Sequence, residues 1–336
     1  MIAFRAAVER LLQRLWYEGH WLSFSLVPLS WLVEWEIRRR SAGRLPKQET
    51  GYGARVWVIG GLTVGGTGKT PVLIALGEWL LGKGVSVGVV SRGYRGRIGK
   101  RPHLVSASDR PEDVGDEPLL IRQRLGCPVA VCRDRARALE ALVGQFEVDV
   151  VLSDDGLQHY GLPRDWEVIV LDAQRGLGNG RVIPAGPLRE PASRLAAVDW
   201  VLERNSKDPD RSFSYSVGSM RQLSSERGFS WPDWLSQWGQ APITAVTALG
   251  QPDQFFEMLS ALGLSVTGVA LPDHEAISIE HLKQASTDVV VITAKDAVKL
   301  GAIENSEVAA RVWVVEIETR LPASLLDKLA ATLSKG

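Results

Sequence analysis

Residues 55–84 read RVWVIGGLTVGGTGKTPVLIALGEWLLGKG, and this stretch constrains the fold more than any other in the chain. Val56 to Ile59 is a short apolar run of strand type. A glycine-rich turn follows, then a helical pattern from Lys69 to about Leu81, stopped by Gly82 and Gly84. Strand, glycine turn and helix is the context in which a main chain can cradle phosphate. The amides of Gly65, Gly66, Thr67 and Gly68 converge on phosphate oxygens only where no side chain blocks the approach, and the helix start adds unpaired donors and a positive dipole end. In that frame Lys69 reaches β- and γ-phosphoryl oxygens and the Thr70 hydroxyl binds Mg²⁺. The loop departs from G-x-x-x-x-G-K-[ST] at Thr63, where glycine is expected; Val64 follows, and the terminal G-K-T is intact. The dinucleotide fingerprint G-x-G-x-x-G fails because Pro71 stands at its last glycine, so NAD is not expected.

Such a loop needs an acidic partner at a strand end. Val148 to Ser153 reads as a strand, and Asp154 and Asp155 follow at its carboxyl end. Adjacent side chains on extended backbone diverge, so one carboxylate can face Mg²⁺ while the other faces the acceptor or a group that supports the metal ligands. Gln158 and His159 lie just beyond, where ligands bind in parallel sheets. Further strands at Trp166–Leu171 and Val198–Leu202 complete an alternation of strand and helix from residue 55 to about 205, which implies a parallel sheet flanked by helices. From about Ser206 to Gln240 the periodicity dissolves, and this stretch reads as an inter-domain connection. A second alternation starts at Ile243 and gives a smaller α/β domain. The expected organisation is therefore 1–44 as an N-terminal segment, 45–205 as a phosphate-loop core, 206–240 as a connection and 241–336 as the smaller domain.

Residues 1–40 hold Trp16, Trp21, Trp31 and Trp35, and residues 19–33 contain no carboxylate, Lys or Arg. That run is shorter than the roughly 20 residues a bilayer span needs, and Pro28 and three serines interrupt it. Glu9 and Glu18 argue against a signal peptide. Helical spacing of Val8, Leu11, Leu12 and Leu15, with Arg38, Arg39 and Arg40 beyond, suits an amphipathic segment at a membrane surface; packing on the protein's own domain, or a contact between two copies, is the alternative. Lys plus Arg equals Asp plus Glu at 39 each, so no global field draws in nucleic acid, and any anion site is local. The cysteines, Cys127 and Cys132, lack metal-site spacing and read as small buried residues.

Seven pieces in order, GGLTVGGTGKTP, VVSRGYRG, VGDEPLL, SDDGLQHY, RVIPAGPLREP, LPDHEA and VITAKDAVKL, closely resemble the tetraacyldisaccharide 4′-kinase family, from about residue 8 to about residue 300. GTGKT is shared by many nucleotide-hydrolysing proteins, whereas DDGLQH together with IPAGPLREP is far more specific. The resemblance implies ATP-dependent phosphorylation of the 4′-hydroxyl of a tetraacylated glucosamine disaccharide 1-phosphate at the cytoplasmic face of the inner membrane. It also gives the Trp-rich N-terminus a purpose, because the substrate stays in the bilayer. No obligate protein partner is implied.

The same resemblance places Asp116, in Gly-Asp-Glu-Pro, in the site as acceptor of the hydroxyl proton, with His274 as its partner across a cleft that closes on substrate. Asp154 and Asp155 are expected on Mg²⁺, with Glu117 in support. A sugar phosphate calls for arginine, so Arg92, Arg133 and Arg189, with Gln158 and His159, are the candidate substrate contacts. Lys295-Asp296 lacks the leading Asn of a guanine-reading motif, so GTP is not inferred. The rival reading is an ATPase switch working with protein partners; such loops usually carry Lys where this chain has Val64.

Overall fold

The computed structural model describes residues 11–42, 51–225, 227–273, 275–300 and 306–334. The chain divides into two compact units, one from Met1–Asp109, Asp113–Ser214 and Arg320–Gly336, the other from Arg110–Glu112 and Tyr215–Thr319.

In chain order the first unit carries α1 (Val27–Ser41), β1 (Arg55–Gly60), α2 (Lys69–Gly82), β2 (Val87–Ser91), β3 (His103–Leu104), α3 (Asp116–Leu125) and β4 (Val129–Val131). It continues with α4 (Arg135–Val143), β5 (Val150–Asp154), β6 (Trp166–Asp172) and β7 (Trp200–Arg204). β1 lies between β5 and β6, all parallel, with Ile59 opposite both Asp154 and Val168. β2 pairs with β5 and β4 with β2, also parallel, while β3 closes that edge antiparallel; β7 runs parallel beyond β6. The central strands are mostly apolar, as strands covered on both faces tend to be, with buried Glu167 in β6 and Asp154 at the end of β5 among the exceptions, and Val56, Val58, Val151 and Ile169 are fully buried in one core cluster. The carboxyl ends of β1, β2, β4 and β5 therefore share one edge, and α2, α3 and α4 each begin there. That edge is where an open parallel sheet places its ligand.

One connection is unusual. β5 passes to β6 over β1 through residues 155–165 with no helix, although parallel crossovers usually carry one.

The N-terminal region has a helical stretch over 11–17, a 3₁₀ turn at Trp21–Leu26 capped by the His20 ring, and α1. Ser30, Val33 and Ile37 of α1 pack inward, and the Ser30 hydroxyl donates to Val182 O (2.7 Å) and accepts from Ala185 N (3.0 Å). No helix among the described residues is long and apolar enough to cross a membrane. Cys127 and Cys132 are free and buried.

The second unit carries β8 (Ser212–Gln222, shared at its start with the first unit), β9 (Gly228–Ser230), α5 (Trp231–Trp238), β10 (Ile243–Thr247), α6 (Pro252–Ala261) and β11 (Val266–Ala270). Then follow α7 (Ile279–Lys283), β12 (Val289–Thr293) and β13 (Val312–Arg320). Its strand order is β11-β10-β12-β13-β8, with β9 antiparallel on β8. Residues 206–240, read from sequence as a connection, hold β8, β9 and α5. Trp231, Trp234 and Trp238 fall on one helical face and pack with Phe229 and Trp313, so the tryptophans pack on the core; β9 and α5 are short, and β8, though 11 residues long, is serine-rich and buries residues too irregularly to show a period of two. The closing helix α8 (Ala323–Leu333) groups with the first unit: Lys328 lies over the Trp166 and Trp200 rings and donates to Asp199 O.

Candidate active site

The loop 63–70 leaves β1 and enters α2 through Gly68, whose φ of 93° caps the helix in the left-handed region; Gly65, at φ 111°, makes the preceding turn. Both conformations suit glycine alone and leave the amides bare. Thr63 and Thr67 are buried, while Val64, Gly65 and Gly66 are exposed. Pro71 is harmless in the first turn of α2, where an N–H has no helical partner anyway. Lys69 folds back beneath the loop, so that a side chain on Gly61 would meet its Nζ at 3.3 Å. Thr70 is the second residue of α2.

Asp154 ends β5, and Asp155 turns the chain sharply at φ 48°, a conformation uncommon outside glycine, so the two carboxylates part. Their charge states part as well. Burial, then the nearby carboxylates of Glu117 and Asp155, push Asp154 up to about 7 against the pull of Arg135 and of a 3.0 Å bond from Ser91 Oγ. Burial works the same way on Asp155, but Lys69 and Arg189 outweigh it and hold that carboxyl at about 2. Lys69 Nζ is 3.8 Å from Asp155 Oδ1, and Arg189 Nη1 donates to Oδ2 at 2.7 Å. Oδ1 of each aspartate is buried without a hydrogen-bond partner, and so is Thr67 Oγ1. Orphaned carboxylate oxygens beside a phosphate loop fit a hard divalent cation that takes its other ligands from phosphate and water; no cluster of three or more His, Cys, Asp or Glu side chains among the described residues offers a complete protein cage. Asp116 is buried as the first residue of α3, Glu117 is half-buried beside it, and Asp116 Oδ1 accepts from Glu117 N at 3.1 Å.

Arg189 arrives from far along the chain. Thr63 and Leu188 form an isolated antiparallel bridge, Val64 N donates to Pro187 O (2.9 Å), and Arg189 N donates to Leu62 O (2.7 Å). RVIPAGPLRE is thus the outer wall of the phosphate loop, and Ile183-Pro184 within it is cis. Gln158 Nε2 donates to Glu190 Oε1 at 2.8 Å. His159 is half-buried, and burial, then Arg135 and Arg92, lower it to about 4, so its ring is neutral at pH 7. Arg92 and Arg133 are exposed beyond the ends of β2 and β4. His274 lies outside the described residues.

The sequence reading missed Arg135, Ser91 and Glu190. Arg135 is 2% exposed; its Nη2 donates to Asp154 O at 2.7 Å, its Nε and Nη1 have no hydrogen-bond partner, and burial lowers it to about 10. A signal existed: Arg135 opens α4, where a cation opposes the helix dipole.

A parallel sheet with a glycine-rich loop entering a helix, a lysine inside it and a split carboxylate pair at the next strand end define an ATP-type phosphotransferase of the P-loop class. The sequence profile described as tetraacyldisaccharide-1-P 4′-kinase, LpxK, matches residues 22–334, and the chain belongs to that family. The tetraacyldisaccharide 4′-kinase of Alcanivorax borkumensis is 43% identical over 327 residues, covering 96% of this chain and 97% of that one. The enzyme of the same name from Stutzerimonas stutzeri is 43% identical over 299 residues, 88% and 89% of the two chains. Among solved structures, LpxK from Aquifex aeolicus in complex with ATP superposes with a TM-score of 0.73 at 25% identity, covering 93% of this chain and 99% of that one.

Proposed function

We propose that this protein transfers the γ-phosphoryl group of ATP to the 4′-hydroxyl of a tetraacylated glucosamine disaccharide 1-phosphate, the lipid A precursor. One observation carries the assignment of roles: two adjacent carboxylates, half-buried Asp155 held ionised by Lys69 and Arg189 and buried Asp154 only partly compensated by Arg135, stand at the strand edge where the glycine loop opens. Amides of residues 65–68 and the Lys69 ammonium hold the triphosphate tail. Asp154, whose charge Arg135 only partly offsets, with Thr70 and with Asp155 and Glu117 nearby, would hold Mg²⁺, which when bound spreads charge across the β- and γ-phosphoryl oxygens. The acceptor oxygen forms its bond to Pγ as the Pγ–O bond to ADP breaks, and Asp116 takes the hydroxyl proton, with His274 sharing it. The open Nε and Nη1 of Arg135 suit an anionic oxygen of the transferring group. Arg92 and Arg133, exposed at neighbouring strand ends, suit the phosphate already on the acceptor, and Gln158 and His159 its polar face.

The acceptor's acyl chains require the enzyme at a membrane. Trp21, Phe24, Trp31, Leu32 and Trp35 are each 63–70% exposed, on the side of the N-terminal segment away from the residues that pack inward, and Arg38, Arg39 and Arg40 follow. Large aromatics beside arginines match the headgroup layer, supporting a peripheral place on the cytoplasmic face of the inner membrane.

The deciding experiment gives the full chain ATP, Mg²⁺ and the tetraacylated disaccharide 1-phosphate and follows product by mass spectrometry. One added phosphoryl group is expected, with kcat lowered about 10³-fold in Lys69→Ala. ATP turnover that ignores the acceptor would instead favour a switch ATPase, and near-normal transfer by Lys69→Ala would overturn the loop assignment.

A further inference from the structure

The crossover 155–165 poses an accounting problem. It carries Asp155, Gln158 and His159, it lies over β1, and it has no helix to satisfy its carbonyls. Buried main-chain oxygens without donors are costly, so some group must supply them. Arg164, fully buried, supplies them: its Nε donates to Leu162 O (3.1 Å) and its Nη1 to Leu157 O (3.1 Å), and its Nη2 adds a second donor to His159 O, which also accepts from Leu162 N (3.0 Å). Leu157 and Leu162 are themselves buried. One planar guanidinium thereby does for this turn what a helix does for an ordinary crossover.

The cation is balanced in a chain of alternating charge. Arg164 Nη1 is 2.9 Å from Glu167 Oε1, which Arg194 Nη2 approaches at 2.5 Å. Arg194 Nε lies 3.3 Å from Glu190 Oε2, and Glu190 Oε1 accepts from Gln158. Arg164 and both glutamates are almost wholly buried, so each charge depends on its neighbour. The chain runs from the turn's backbone to the Gln158 side chain and to Glu190, the residue after Arg189.

We propose that Arg164 is a positioning residue for phosphoryl transfer: by gripping the carbonyls of Leu157, His159 and Leu162, it sets the turn from which Gln158 and His159 face the acceptor. The link to transfer rests on the kinase reading above; the grip on the turn does not. Arg164 touches no reacting atom, so its loss leaves the phosphate loop intact and acts through the aim of its neighbours.

Arg164→Lys in the full chain separates the two levels, because it keeps the charge and gives up the fork. Turnover with the disaccharide acceptor should fall about 10- to 100-fold, as expected when reacting groups shift by an ångström, with KM for ATP within about twofold of wild type. Independently of activity, the His159 ring reports on the turn. The groups that set its titration are Arg135, Arg92, Asp134 and Arg164, and their charges all survive this substitution. The His159 resonance, assigned with a His159→Gln control in ¹³C-histidine-labelled protein, should titrate near 4 in wild type and at least about one pH unit higher in Arg164→Lys as the ring gains water. An unmoved His159 midpoint in the folded variant would overturn the proposal whatever turnover does. Should Arg164→Lys fail to fold, Glu167→Gln replaces it, since it weakens the guanidinium's anchor while keeping an acceptor, and the same His159 criterion applies. A wild-type protein that makes no phosphorylated disaccharide would sink the kinase reading and leave the His159 comparison able to decide the grip.

Discussion

His159 shows how much of the site's behaviour is decided one residue at a time. Burial and three guanidinium groups, those of Arg135, Arg92 and Arg164, hold its ring to about 4, against an ordinary 6.5, so the folded protein refuses a proton that the unfolded chain accepts below about 6.5. Stability contributed by this group is therefore complete above pH 6.5 and is lost as pH falls toward 4, below which the loss levels off. Urea unfolding at pH 7 and pH 5 should show a smaller loss in His159→Gln than in wild type, and equal losses would mean the ring is not desolvated. His159 and its neighbours were legible in the sequence as a cluster because GTGKT and DDGLQH are contiguous and each residue type answers one chemical demand. Arg135 and Ser91 were not. Ser91 meets Asp154 across 63 positions, and Arg133 and Arg135 look interchangeable until α4 buries one and leaves the other in water.

At the scale of elements, α1 has two faces with different tasks. Ser30 binds both sides of the 182–185 turn, Trp16 Nε1 donates to Pro184 O at 3.0 Å, and the same segment continues to Leu188 and Arg189 at the phosphate loop. The outward indoles are thus mounted on the wall of the nucleotide site. Trp31→Ser with Trp35→Ser should weaken partitioning to anionic phospholipid vesicles by at least about tenfold, since immersing about 100 Å² of each indole contributes about 2.5 kcal/mol. Unchanged sedimentation with vesicles would show that this face meets something other than lipid. Sequence periodicity located the long apolar strands, because parallel strands buried on both faces leave continuous runs. It missed β3, which is two residues long, and β8 and β9, which fall in the stretch read as a connection, and it could not anticipate that RVIPAGPLRE pairs with Thr63, since an isolated bridge leaves no periodic trace.

For the whole molecule, the balanced charge leaves attraction of ATP to local groups, and the residues proposed to hold it all lie in the first unit. Asp116 lies in that unit too, whereas His274 is contributed by the stretch 215–319. If both handle the same proton, neither should matter much for ATP binding, and their effects on turnover should not add. Asp116→Asn and His274→Asn are each expected to lower kcat about 10²- to 10⁴-fold while leaving ATP affinity within about threefold, and the double variant should be little worse than the worse single one. Additive losses would assign the two residues to separate steps. Loss of ATP affinity in Asp116→Asn, with turnover retained at saturating nucleotide, would move that carboxylate from the acceptor to the nucleotide. The non-additivity itself reports whether one chemical event draws on both residues.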